Sequence, residues 1–244
     1  MLYFGGGKML SERIDVRWGD FSQVECELAL FKEAACGNYD YYHLLSGVDL
    51  PIKSSKYITE FFEKNKGYEF FRIKDNDENR KLTYNNTNYY YLFSRTRRSP
   101  IGRAISKLRI PQLSIRIQRL LRVSRCAKDT WTLYKGDNWL SITDAAVHCI
   151  LNNKNYIRHR FKRTNCPDEI YKQTVLMNCG YSDKVFRAEG RMNSALRSID
   201  WTRGNPYVWT MAEAEELTSS GNLFARKFST KKDKRIIDYL KNFE

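Results

Sequence analysis

The chain has 244 residues, 42% hydrophobic and 14% aromatic, and a net charge of +14. That length and apolar content suit one folded domain (1–244) with a sizeable core, and exclude a disordered chain. No apolar run reaches the roughly 20 residues of a membrane helix, and the amino terminus shows no apolar secretory stretch.

In chain order, Val16-Arg17-Trp18-Gly19 reads as a strand end leading into a helix over 23–36, with a capping box at Ser22 and Glu25 and a stop at Gly37-Asn38. The run Tyr41-Tyr42-His43-Leu44-Leu45 predicts a strand buried on both faces, breaking at a Ser46-Gly47 turn before a lone carboxylate, Asp49. Ser54 or Ser55 opens a helix carrying Ile58, Phe61 and Phe62, and Gly67 closes it. Residues 69–73 read as a further strand, and the β-α-β-α-β order predicts a mostly parallel sheet with right-handed crossovers. Residues 74–98 read as a tyrosine-rich loop or irregular hairpin.

Between Arg95 and Lys128 stand eleven basic residues and no acid, so most of the surplus charge belongs to this one segment. Ile117, Leu120 and Leu121 give it the pattern of a one-sided helix. Past Asp137-Asn138-Trp139-Leu140 comes a helix with Ala146, Val147 and Ile150. Pro167 sits where the first position of a helix ending near Gly180 belongs. Thr210 and Glu213 predict a second capping box, and Ile236, Ile237 and Leu240 a terminal amphipathic helix.

Few residues carry obvious chemistry. Asp168 and Glu169 suit a first helical turn, where the macrodipole favours carboxylates; as a base, either needs burial or a neighbouring acid to offset that field. Arg226 and Lys227, flanked by Phe224 and Phe228, set two cations among apolar walls and suit a phosphate as well as a surface turn. His43 lies inside an apolar strand and reads as a core histidine. There is no glycine-rich phosphate loop, and no Asp-x-Asp at the end of a strand; Asp75-Asn76-Asp77 falls in a polar stretch. Cys26, Cys36, Cys126, Cys149, Cys166 and Cys179 form no CxxC pair and no metal spacing with the three histidines. Free thiols, no metal, no cofactor and a cytoplasmic setting follow as expectations. Asn85-Asn86-Thr87 matches a glycosylation acceptor but stands alone.

Taken in order, Val16 to Gly19, Tyr39 to Lys53, Gly136 to Trp139, Pro167-Asp168-Glu169, Leu196 to Trp201 and Leu223 to Phe228 resemble the core-2/I-branching β-1,6-N-acetylglucosaminyltransferase family, which includes peptide O-xylosyltransferases. The resemblance implies an α/β chain with a variant GT-A, Rossmann-like sheet flanked by helices. It implies inverting transfer of N-acetylglucosamine or xylose from a UDP-sugar to a glycan or peptide hydroxyl, with basic side chains in place of a metal. Glu169 then matches the base. Lys227 and Arg226, with Ser46, Gly47 and Asp49, match the donor side; Trp201, Asp168, Trp139 and Arg203 match the acceptor side. The chain departs from the family at Tyr207, where a second diphosphate-binding arginine is expected and Arg203 or Arg226 stands in. It also begins almost directly at the Val16 segment, so the family's first β-α-β unit reads as missing.

A second reading is a non-catalytic truncated domain, or a binding protein that uses 95–128 against nucleic acid or an anionic membrane. The segment has few aromatics for base stacking, and its alternation of Ile and Leu with Arg suits a lipid interface, peripheral at the inner face of the membrane, better than specific nucleic-acid binding.

Overall fold

A computed structural model describes residues 9–96, 99–190 and 192–242. Helix α1 (Ser22–Ala34) starts after a turn and not after a strand. Gly19 adopts φ 70°, a left-handed conformation costly for other residues, and its N–H donates to Gln23 Oε1 at 2.6 Å. The predicted capping box does not form. Ser22 Oγ is taken by the Arg17 N–H at 2.9 Å, while Asp20 Oδ1 accepts from the Ser22 N–H at 3.0 Å and its Oδ2 from Ser94 Oγ at 2.6 Å.

Strands β1 (Tyr41–His43) and β2 (Asp49–Pro51) flank the Ser46-Gly47 turn. Helix α2 (Ser55–Lys64) follows, its N-cap Ser54 accepting from the Tyr57 N–H at 3.3 Å. The predicted loop at 74–98 contains helix α3 (Asp77–Asn88), capped by Asn76, whose Oδ1 accepts from the Asn79 N–H at 2.9 Å. Its polar, asparagine-rich sequence hides a helix whose last turn is tied to the body by bonds from Arg160 to the Thr87 carbonyl and from Asn165 to Asn86 Oδ1.

The basic segment forms α4 (Pro100–Lys107) and α5 (Ile110–Leu120). Next come β3 (Ser141–Thr143), α6 (Asp144–Asn152), capped by the Thr143 hydroxyl, and α7 (Lys154–Phe161). After a 3-10 turn at Pro167–Glu169 lies α8 (Tyr171–Asn178). The chain ends with β4 (Arg197–Ile199), α9 (Ala214–Ser219) entered through the predicted Thr210/Glu213 capping box, β5 (Phe224–Arg226) and α10 (Lys234–Lys241).

The architecture is mixed α/β, with helices around two small sheets. It is not the mostly parallel sheet expected: β1 pairs antiparallel with β3, and Ser141 of β3 also bridges antiparallel to Phe70, so the 69–73 segment lies on the far side of β3 from β1. In the second sheet β2 runs antiparallel and β4 parallel to the central β5. An apolar run reads alike for either strand direction, which long-range pairing alone decides.

Three apolar clusters fill the interior. One packs α1, α6 and α8 around Ile142, Tyr171 and Val175; a second joins β2, α9 and α10 around Ile52, Trp209 and Ile236; the third joins α2 to the sheets through Phe62, Phe70 and Phe224. Arg197 of β4 ties the two sheets together. Its guanidinium donates to the carbonyls of Ala195 (2.6 Å) and Leu140 (2.8 Å) and to Ser141 Oγ (3.1 Å), and lies 4.3 Å from the Phe224 ring centre. Arg197→Met takes the donor from the Ala195 carbonyl and one of two partners from the Leu140 carbonyl, which keeps the Leu44 N–H, and from Ser141 Oγ, which keeps His43; we expect it to lower unfolding free energy by about 1–3 kcal/mol. Lys66→Met, which breaks an exposed pair with Asp40, should shift the urea midpoint far less; equal shifts would contradict the clamp.

Candidate active site

The Ser46-Gly47-Val48-Asp49 turn is closed on itself. Asp49 accepts from the Ser46 N–H at 2.7 Å and from Ser46 Oγ at 2.9 Å. The same carboxylate faces Arg226, its antiparallel partner across β2 and β5, with Nε 3.5 Å from Asp49 Oδ1. Arg226 in turn lies 4.2 Å above the Trp139 ring. Four residues expected on two sides of a site thus form one stack: turn, carboxylate, guanidinium, indole. Burial holds the Arg226 pKa below its usual value, opposed by the Asp49 charge, and its Nε lacks a hydrogen-bond partner. A desolvated cation with unused donor capacity suits an anion better than one saturated by its neighbours.

Trp139 belongs to the segment that positions Glu169. The Gly136 N–H donates to the Glu169 carbonyl at 2.8 Å, and Lys135 Nζ contacts Glu169 Oε2. Only glycine fits at 136, because a Cβ there lies 2.0 Å from the Arg72 carbonyl oxygen and 2.5 Å from Gln173 Nε2. Three residues further on, Trp139 lies at most about 11 Å from Gly136 along the backbone. The 135–139 segment therefore joins the carboxylate that can act as a base to the aromatic under Arg226.

The adjacent carboxylates differ through burial. Glu169 has a side chain 40% exposed, anchored at one oxygen by Lys135. Asp168 is buried, its Oδ2 accepting from Gln23 Nε2 at 3.3 Å and its Oδ1 without a partner. Beneath it the fully buried Lys172 donates to Glu27 Oε2 (2.5 Å), Asn138 Oδ1 (2.5 Å) and the Asp168 carbonyl (2.8 Å), while the Tyr171 hydroxyl also donates to Glu27 at 2.8 Å. One ammonium serves two carboxyls here. Glu27 takes it, and Asp168 is pushed up to about 7 by burial first and the Glu27 charge second. Asp168 is thus packed against the protein and Glu169 is the open member of the pair.

Lys227 lies at the end of β5, half-buried, with its N–H donating to the Tyr207 carbonyl (3.2 Å) and its carbonyl accepting from the Trp209 N–H (3.1 Å). Among the described residues its ammonium makes no ion pair. The Trp209 indole N–H donates to the Arg226 carbonyl at 2.8 Å, so the 207–209 segment wraps both cations. Arg203 is more committed: it pairs with Asp200 and Glu216 and stacks 4.8 Å over Tyr207 and 5.0 Å over Trp209. Trp201 is 61% exposed on the neighbouring turn, and Gly47 is exposed with open space where a side chain would lie. No described contact joins Trp201 to Glu169. His43 behaves as a core residue: its Nδ1 lies 2.8 Å from Ser141 Oγ, and burial, with Arg197's charge second, lowers its pKa to about 3.

Sequence reasoning missed Lys135, Glu27 and Lys172. Lys135 carried one signal, its place directly before Gly136-Asp137-Asn138-Trp139. Lys172 and Glu27 carried none, because a lysine in a helix reads as solvated until the fold shows it enclosed. Among the described residues all six cysteines are free thiols, and no group of three potential metal ligands occurs.

The sequence profile of the Core-2/I-Branching enzyme family matches residues 4–220. That span includes Asp49, Trp139, Glu169 and Arg203 and ends before Leu223 to Phe228. Comparison with curated proteins returns no match. With the profile spanning most of its length, the chain belongs to the Core-2/I-Branching enzyme family of glycosyltransferases.

Proposed function

We propose that the chain transfers a sugar, N-acetylglucosamine or xylose, from a UDP-sugar to a hydroxyl of a glycan or peptide acceptor, with inversion and without a metal. The observation that carries this reading is the 135–139 segment, which links one accessible carboxylate, Glu169, to the aromatic stacked under Arg226. An inverting transfer needs that pairing: a base for the acceptor hydroxyl, and positive charge where the leaving diphosphate gathers its negative charge.

In this reading Glu169 takes the acceptor proton as the hydroxyl oxygen attacks the anomeric carbon and the bond to the diphosphate breaks. Lys135 holds one carboxylate oxygen and so fixes the direction of the other, which serves positioning. Lys227 and Arg226 take the place of a cation at the diphosphate, the open ammonium as a point charge and the guanidinium as a fork. Asp49 and Ser46 set the angle of Arg226, and Gly47 leaves room for the donor sugar. Trp139 and the exposed Trp201 offer the flat apolar faces on which sugar rings stack. Arg203, held by two carboxylates, shapes the Tyr207–Trp209 wall more than it supplies free charge. Asp168, enclosed and near-neutral, supports the turn that presents Glu169.

Glu169→Gln keeps the shape and removes the base. With a panel of UDP-sugars and acceptors that turns over the parent, it should lower kcat at least ~10²-fold with UDP affinity unchanged by calorimetry; retained turnover contradicts the role. Lys227→Ala should instead weaken UDP binding by roughly tenfold or more, and an unchanged Kd removes Lys227 from the diphosphate.

Asp168 predicts a pH dependence of stability. The folded state keeps a proton that the unfolded chain releases above the ordinary value of 3.8, so this site's contribution is complete below that value and is lost as pH rises to about 7. His43 acts with the opposite sign, so the variant comparison isolates Asp168. Asp168→Asn, neutral throughout, should gain stability relative to the parent between about pH 4 and about pH 7 and hold a constant difference above; a flat difference across the range in urea melts contradicts the assignment.

A further inference from the structure

The α4–α5 hairpin folds as the basic segment's pattern suggests, but its apolar stripe points away from the core. Leu113, Ile117 and Leu120 fall at i, i+4 and i+7 on one face of α5; Leu120 is 83% exposed, and Leu108 at the hairpin tip and Leu121 after the helix are also exposed. The inner face is a different set. Ile105, Pro111 and Ile115 close over Tyr90 to Phe93, and Gln118 locks the register by donating to the Tyr90 carbonyl at 3.0 Å and accepting from its N–H at 2.8 Å. The hairpin is therefore seated on the body through one side, and its outward leucines are not a core left unfilled.

Charge completes the face. Arg103, Lys107, Arg109, Arg116, Arg119 and Arg122 are all exposed around the stripe, and no acidic residue occurs between 95 and 128. A stripe of branched apolar side chains rimmed by cations matches one partner chemistry closely: an anionic lipid surface, where leucines enter the acyl boundary and arginines meet headgroup phosphates. Duplex nucleic acid uses the cations but leaves the leucines wet. A second copy of this chain buries the leucines but sets like charges against each other. Among the described residues no helix is long and apolar enough to cross a membrane.

The body side links this face to the candidate site. Ser94, just before the segment, donates to Asp20 at 2.6 Å; Gly19 accepts from the Cys166 N–H at 3.1 Å, and Gln23 reaches Asp168. We propose that the α4–α5 hairpin is a lipid-docking element that seats the protein on an anionic membrane surface through Leu108, Leu113, Ile117, Leu120 and Leu121 and the surrounding arginines. This rests on the hairpin alone and stands whether or not Glu169 is the base.

The test is co-sedimentation of the full chain with vesicles of phosphatidylcholine, and of phosphatidylcholine mixed with phosphatidylglycerol. Binding is expected only to the anionic vesicles. Leu120→Gln with Leu121→Gln, which leaves the charge intact, and Arg116→Gln with Arg122→Gln, which leaves the apolar stripe intact, should each reduce partitioning by roughly tenfold or more with unchanged thermal melts. Absence of binding to anionic vesicles overturns the proposal, as does full binding by the leucine pair variant. Self-association without vesicles that the leucine pair abolishes assigns the face to a second copy and also overturns it. So does tighter binding to a duplex oligonucleotide that only the arginine pair weakens.

Discussion

The structure depends on a buried guanidinium. Arg197 is enclosed at the junction of the two sheets, where burial holds its pKa down to about 9, and it remains there because backbone carbonyls and a serine hydroxyl take its N–H groups. A charge is expensive to bury without partners, and here both terminal nitrogens are bonded while Nε is not, so the sites they bond must lie where they do. Ser141 opens β3 and Leu140 directly precedes it, Arg197 belongs to β4, and the ring beneath the guanidinium, Phe224, to β5. The sheets have only two and three short strands, and Arg197 joins the Phe62, Phe70 and Phe224 cluster in fixing their relative placement. Within the second sheet, β5 pairs with both Arg197's strand and β2, and the latter pairing sets Arg226 opposite Asp49.

A second constraint, the buried Glu27–Lys172–Asp168 group, separates two carboxyls adjacent in sequence. One ammonium between two acids in a dry site satisfies one of them, and the other keeps its proton. The same packing turns Asp168 inward and leaves Glu169 beside Lys135 at the open edge. The difference between these neighbouring acids is thus a consequence of burial, not of residue type.

Much of the local structure was legible. Ser54 as a cap, the Thr210/Glu213 capping box and the amphipathic end of the chain rest on bonds between residues three or four apart, so the sequence contains both partners. The Ser46–Asp49 turn was legible for the same reason. Three expectations failed for the opposite reason. Ser22 lost its capping role to Asp20, which a distant serine, Ser94, orients. The asparagine-rich helix at 77–88 is stabilised from outside by Arg160 and Asn165. Strand pairing was misjudged because Ser141, 98 residues beyond His43, inserts antiparallel between the two runs that were expected to be neighbours, which still run parallel to each other.

Of the candidate site, the sequence by itself determined the ingredients: the Ser46–Asp49 turn, the Gly136–Trp139 segment, Glu169, and the cations at 226 and 227. These are fixed by short-range geometry and by residue chemistry. Which of them meet was decided only by the tertiary structure. Asp49, Trp139 and Arg226 stack although scores of residues separate them, Lys135 joins Glu169 from outside any expected motif, and the outward turn of Leu120 shows which face of a basic helix is left to find a partner. The physical reason is that pairing and burial are properties of contacts between distant segments, and a sequence pattern states only what each segment brings to them.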